Sequence, residues 1–158
     1  MDLFETLDQL HISYKTVTHE PAYTAAQADH IRMALAGDGC KSLFLTDAHE
    51  RAFVLACLPS EKKADLKHIA RVMGTTRLHF VGPELLSAKL GLVQGAVGPM
   101  GLIRDQQHEV QVYFDGELQG LHLRMPANVP DRTIGITFED VVRFVDALGE
   151  RVVVDDLA

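Results

Sequence analysis

The sequence is short of several things, and each shortage removes a class of function. It holds two cysteines, Cys40 and Cys57, in 158 residues. That is too few for a disulfide framework, so a reducing compartment is expected. Cations are in deficit: 15 Lys and Arg against 22 Asp and Glu give a formal net charge of -7. This balance excludes wrapping nucleic acid over a broad cationic face, and no DNA partner is expected. It leaves room for a local pocket that touches one end of an RNA.

Long apolar runs are also missing. The longest, Ala52 to Leu58, is of strand length, far below the ~20 residues of a membrane-spanning helix, so no membrane partner is expected. The chain opens Met1-Asp2-Leu3-Phe4-Glu5, acidic and amphipathic where a signal peptide would be basic and then apolar, which points to the cytoplasm. No Ser- or Pro-rich linker, low-complexity tract or repeat divides the chain, and a single domain over residues 1–158 is expected. Familiar catalytic devices are absent too. There is no G-x-S-x-G elbow, H-E-x-x-H zinc site, P-loop or G-x-G-x-x-G fingerprint opening a helix. The eight histidines lack metal-ligand spacing, so neither a metal nor a cofactor is expected.

What is present is ordinary globular composition, 47% apolar and 23% charged, in a chain long enough to bury roughly 70% of its unfolded surface. Asp2 can cap a helix whose Leu3, Leu7 and Leu10 share one face. Ile12, Tyr14 and Val17 suggest an extended segment ending in the loop His19-Glu20-Pro21. Thr24-Ala25-Ala26-Gln27 reads as a capping box for a helix burying Ala28, Ile31 and Leu35, stopped by Gly37-Asp38-Gly39. Ser42–Thr46 and Ala52–Leu58 are spaced to pair as a hairpin, with the second a central strand covered on both faces. Ser60 is expected to cap a helix carrying Leu66, Ile69, Ala70 and Met73, with Gly74 beyond it. A short helix follows Pro83 and ends near Gly91.

Gly95 to Gly101 is too glycine-rich for a stable helix and suggests a strand entering a tight loop. Val110, Val112 and Phe114 alternate with polar or mixed positions, and Asp115-Gly116 signals a hairpin. On its return strand Leu121, Leu123 and Met125 would face one way, His122 and Arg124 the other. Thr137 can cap a last helix with the stripe Val141, Phe144, Val145 and Leu148, and Gly149 as its stop. Strands occurring in runs as well as between helices favour an α+β fold: a central mixed, mostly antiparallel sheet flanked by helices.

Two features carry chemistry. Lys41 stands between a glycine-rich helix stop and the apolar strand Leu43-Phe44-Leu45. A lysine in such a place is ordinarily a solvated charge, but it can also hold a carbonyl or phosphate. Gly98-Pro99-Met100-Gly101 is ordinarily a turn, where glycine and proline belong. It could equally present backbone N–H groups to an oxygen gaining negative charge. Pro99 has no N–H, so the donors would come from Gly98, Met100 or Gly101, with Pro99 fixing the loop's shape. Cys40, beside Lys41, is either an activated thiol or a small residue at a strand mouth.

In this order the two features resemble the YbaK/prolyl-tRNA synthetase editing-domain family of trans-editing aminoacyl-tRNA deacylases. The resemblance also includes His19-Glu20-Pro21 before Thr24, Lys41-Ser42-Leu43-Phe44-Leu45, Leu66-Lys67-His68-Ile69-Ala70, Gly74-Thr75-Thr76-Arg77-Leu78, Leu90-Gly91 and Asn128. It implies hydrolysis of the ester of a mischarged tRNA, most often alanine on tRNA(Pro), without metal and with a ribose hydroxyl of the substrate helping to activate water. It implies catalytic roles for Lys41, Gly98 and Gly101, and substrate contacts at His19, Thr24, Pro99, Met100, Arg124 and Asn128. The implied partners are the tRNA acceptor end and, for delivery, a cognate synthetase. One departure stands out: where many relatives carry His-Pro, this sequence has Arg124-Met125, with proline one step later at Pro126. A binding module that holds an aminoacyl or nucleotide group without turnover is the alternative, and hydrolysis of a small acyl ester without RNA is a third reading.

Overall fold

Local signals at the helix ends are met first. In the computed structural model, which describes residues 2–21, 31 and 34–156, the Asp2 carboxylate accepts from the Glu5 N–H at 2.8 Å and starts helix α1, Leu3–Gln9. Helix α2, Leu66–Met73, ends on Gly74 in the left-handed conformation, and α3, Pro83–Leu90, ends on Gly91 in the same way. Thr137 caps α4, Phe138–Ala147, by accepting from the Asp140 N–H at 3.2 Å. One cap differs from expectation: α2 is started by Asp65, which accepts from the His68 N–H, while the Ser60 N–H is spent on the Gly39 carbonyl. A carboxylate at the N-terminus also meets the helix dipole favourably. The capping box expected at Thr24 lies outside the described residues, though Leu35 is buried as expected and its N–H bonds to the Ile31 carbonyl.

The described strands are β1 Lys15–Thr18, β2 Asp38–Thr46, β3 Phe53–Pro59, β4 His79–Phe80, β5 Val110–Asp115, β6 His122–Pro126, β7 Arg132–Thr137 and β8 Arg151–Asp155. They form one mixed sheet in the order β1-β7-β6-β2-β3-β5-β8, with β4 attached to β2. Four pairings are antiparallel (β1–β7, β6–β7, β2–β3, β2–β4) and three parallel (β2–β6, β3–β5, β5–β8). The expected hairpin of β2 with β3 is present, and β3 is buried along its apolar length. Period-2 alternation divides it between two cores. Phe53, Leu55 and Cys57 join the core beneath α1, α3 and α4; Val54, Ala56 and Leu58 join the core beneath α2.

Two expectations are corrected. Asp115-Gly116 makes no hairpin: β5 pairs with β3 and β8, and β6 with β2 and β7. The Asp115 carboxylate instead accepts from the Glu117 N–H and starts a short 3₁₀ turn, Gly116–Leu118, that carries the chain to the other half of the sheet. Residues 95–101 form no strand; they are a loop leading into a 3₁₀ turn, Pro99–Arg104. Three glycines and a proline there remove the side chains and the donor a central strand needs.

Candidate active site

The site is an interruption in the sheet. On one edge β2 pairs with β6 only at Asp38 and Gly39, and with β4 only at Leu45 and Thr46. Between them lie residues 40–44. There the Val81 N–H still reaches the Phe44 carbonyl at 3.0 Å. Because backbone groups alternate along a strand, Ser42 then also turns its N–H and C=O toward this edge, where none of the described strands covers them. The result is a cleft of about 440 Å³, within the ~300–1,000 Å³ of small-molecule sites. Its floor is Cys40 to Phe44; its walls come from Pro126, from Phe80, Val81 and Leu86, and from the loop residues Gln94, Gly95 and Val97.

Both sheet faces reach this opening. Lys41 pairs with Leu58 and leaves β2 on the α2 face; Ser42 pairs with Cys57 and leaves on the opposite face. The Ser42 hydroxyl lies 3.4 Å from Cys57 Sγ, and a methyl placed on Gly98 would lie 4.0 Å from that same hydroxyl oxygen. Lys41 and the glycine loop thus approach one cleft from opposite sides of a broken sheet. The Cys40 thiol is held well above its usual pKa by a hydrogen bond with Cys57 and by burial, which disfavours the thiolate and leaves Cys40 a packing residue.

The other residues singled out in the sequence fall in distinct places. Gly98, Pro99, Met100 and Gly101 are buried behind the cleft, with Met100 fully enclosed in the core, so none of the four is part of its lining. The Gly101 N–H donates to the Gly98 carbonyl at 3.0 Å and closes the 3₁₀ turn; it is therefore spent. That bond is the first of the turn, so the N–H groups of Gly98 and Met100 stand ahead of it, as orphan donors do at a helix start. Asn128 does not face the cleft as a substrate ligand; its Nδ2 donates to the Met100 carbonyl at 3.1 Å and ties down the loop from behind.

His19 does not line the cleft either. Its ring lies 2.8 Å from Thr133 Oγ1 and 2.7 Å from the Glu20 carbonyl, and the main-chain N–H of His19 donates to the Asp131 carbonyl. Arg124 lines a second, smaller hollow of about 180 Å³ with Gly39, Cys40, Ser60, Pro126 and Thr133, and donates to the Leu35 carbonyl at 3.3 Å. The two hollows meet at Cys40 and Pro126. Thr24 lies outside the described residues. Sequence reasoning missed Phe80, Val81, Gln94 and Pro126, because a cleft wall made where pairing stops leaves no mark in local periodicity. Among the described residues no cluster of His, Cys, Asp or Glu suits a metal ion, and no helix is long and apolar enough to cross a membrane.

Residues 19–144 match the model of the aminoacyl-tRNA editing domain. The chain is 34% identical over 144 residues to the prolyl-tRNA editing protein ProX of Acetoanaerobium sticklandii, covering 90% of this chain and 88% of that one. It is 30% identical over 148 residues to prolyl-tRNA synthetase associated domain-containing protein 1 of Danio rerio, covering 92% and 80%. A solved structure proposed as a trans-editing enzyme for prolyl tRNA synthetase superposes with a TM-score of 0.70 at 22% identity, over 94% of this chain and 90% of that one.

Proposed function

The chain belongs to the aminoacyl-tRNA editing domain family, and from that premise we propose that it is a deacylase acting in trans on mischarged tRNA, with a small amino acid on tRNA(Pro), alanine first, as its substrate. The observation that carries this reading is the broken sheet edge, where Lys41 and the loop before Pro99 meet in one cleft of about 440 Å³. The need for such an activity is physical. A synthetase pocket sized for proline gains only ~1–3 kcal/mol against a ligand smaller by a methylene, so a second, hydrolytic site supplies the missing accuracy.

The reaction is attack of water on the ester carbonyl. The C–O bond to the terminal ribose breaks, the amino acid leaves as its carboxylate, and the ribose hydroxyl is regenerated. Lys41 supplies fixed positive charge to the carbonyl or the adjoining phosphate. The N–H of Gly98, the loop residue beside Ser42, is the donor assigned to the oxyanion, since Met100 is enclosed in the core. Losing one such donor typically costs ~10²–10³ in rate. With Gly101 engaged in its own turn and Met100 enclosed in the core, the oxyanion role narrows to Gly98. A ribose hydroxyl beside the ester positions the attacking water, so the substrate contributes part of its own catalysis.

The test is a deacylation panel of tRNAs charged with alanine, serine, threonine and cysteine, run with parent protein and Lys41→Ala. Rapid release of one amino acid by the parent and its loss in the variant is the expected result. Binding without turnover by the parent would favour the non-catalytic module. Equal hydrolysis of charged tRNA and of a minimal aminoacyl-nucleoside ester would favour a general esterase.

A further inference from the structure

A second groove lies on the same sheet face as Lys41. It has a volume of about 620 Å³ and runs between α2 and the segment 75–78, with Lys67, Arg71 and Arg77 among its lining residues and no carboxylate. All three cations are exposed, and among the described residues none has an ion-pair partner. Three other cations are neutralised by carboxylates: Lys62 by Asp115 and Glu117, Lys89 by Glu109, and Arg143 by Asp140; what sets the groove apart is that three cations share it with no carboxylate in its lining. Three unpaired cations in one groove of a chain with net charge -7 concentrate positive potential in one place.

The groove and the cleft are linked through the chain: Arg77 lines the one and Phe80, three residues on, the other. Arg77 is followed by buried Leu78 and then by β4, whose Phe80 lines the cleft and is 60% exposed. Phe80 pairs with Leu45, so its ring leaves the sheet on the face shared by Lys41 and α2. An extended chain covers about 10 Å between Arg77 and Phe80. An aromatic ring exposed at the mouth of a mostly apolar cleft, beside a stripe of cations, is the arrangement that binds single-stranded nucleic acid: a base on the ring, phosphates on the cations.

We propose that the unpaired 3′ end of the RNA reaches the cleft across this face, with a base stacked on Phe80 and backbone phosphates held by Lys67, Arg71 and Arg77. The inference rests on the deacylase reading for the identity of the RNA, but its test needs no chemistry. Binding of a labelled, uncharged acceptor-stem hairpin with a single-stranded 3′ end is measured against salt for four proteins. These are the parent, the triple variant Lys67→Ala/Arg71→Ala/Arg77→Ala, Phe80→Ala and Phe80→Trp.

Three contacts to a single strand give a log–log slope of about −2 for the parent, and the triple variant should lose most of it. Phe80→Ala should bind roughly 5- to 150-fold more weakly with the slope unchanged, and Phe80→Trp should restore affinity. The triple variant should still hydrolyse a minimal aminoacyl-adenosine ester at the parent rate, since that substrate lacks the phosphates. Parental affinity and slope in the triple variant would overturn the proposal, as would equal binding of a hairpin trimmed of its single strand. If the parent binds the hairpin as described but cleaves no charged tRNA, the deacylase reading fails and the groove stands. If charged tRNA is cleaved with an unaltered KM by the triple variant, the groove fails and the deacylase reading stands.

Discussion

Asn128 and Met100 are joined by a hydrogen bond of 3.1 Å from the amide Nδ2 to the main-chain carbonyl, linking the β6–β7 connection to the 3₁₀ turn behind the cleft. Asn128 holds a left-handed conformation, φ 69°, which asparagine and glycine tolerate better than other residues. The residue thus meets two demands, one conformational and one of hydrogen bonding. Asn128→Gly separates them. It keeps the backbone at ease and cuts the tie to the loop, so melting temperature should stay near that of the parent while deacylation falls several-fold. An unchanged rate in Asn128→Gly would mean the tie does not hold the loop in its working shape.

Gly98 and Gly101 are predicted to respond oppositely to a methyl group. At Gly101 the added carbon would lie 2.6 Å from Leu92 Cδ1, inside the core, so Gly101→Ala should be destabilised by about 1–3 kcal/mol. At Gly98 the backbone is extended and the nearest atom, Pro126 Cδ, would be 3.7 Å away. Gly98→Ala should therefore melt like the parent and lose activity, because the methyl lies beside Ser42 at the cleft. Denaturant curves and deacylation rates on both variants check the pair. A stable Gly101→Ala or a fully active Gly98→Ala would contradict these placements.

Lys41 lies in a strand held by β3, and its side chain is not part of either core. Lys41→Ala should keep the fold and lower the deacylation rate by at least ~10²-fold, the scale of one electrostatic contact in a transition state. Lys41→Arg retains charge on a differently shaped head and should recover only part of the rate. Circular dichroism and single-turnover hydrolysis are the measurements. Parental turnover by Lys41→Ala would remove the lysine from the mechanism.

How far the sequence foretold this depends on the range of the interaction. Asp2, Gly74, Gly91 and Thr137 act within one helical turn, and the helices they bound were legible from spacing alone. β7 and β8 were not anticipated: Thr133-Ile134-Gly135-Ile136 is interrupted by glycine, and Val152-Val153-Val154 follows a helix stop without a turn signal. Both strands exist because distant partners, β1 with β6 and β5, offer them edges. The false hairpin at Asp115-Gly116 has the same origin, since a local turn preference lost to parallel pairing with β3 and β8. Lys41 and the glycine loop could be read as a pair. The gap that joins them could not, because it depends on where β6 leaves β2 and β4 begins.

Glu150 gives a prediction about pH. Its buried carboxyl lies 2.8 Å from His108 Nδ1, and its pKa is raised to about 7, chiefly by burial, then by hydrogen bonding with Asp105, against the lowering effect of His108. The folded state therefore holds a proton that the unfolded chain, with a carboxyl pKa near 4.5, releases earlier. Between those two values the native state binds more protons, so this group's contribution to stability falls as pH rises from about 4.5 to 7 and is level beyond. Glu150→Gln keeps the shape, can still accept from His108 and removes the titrating group. The variant's melting temperature should vary less over that window and exceed the parent's most clearly at pH 7 and above. A parallel pair of melting curves against pH, with no convergence toward pH 4.5, would show that Glu150 is not the group responsible.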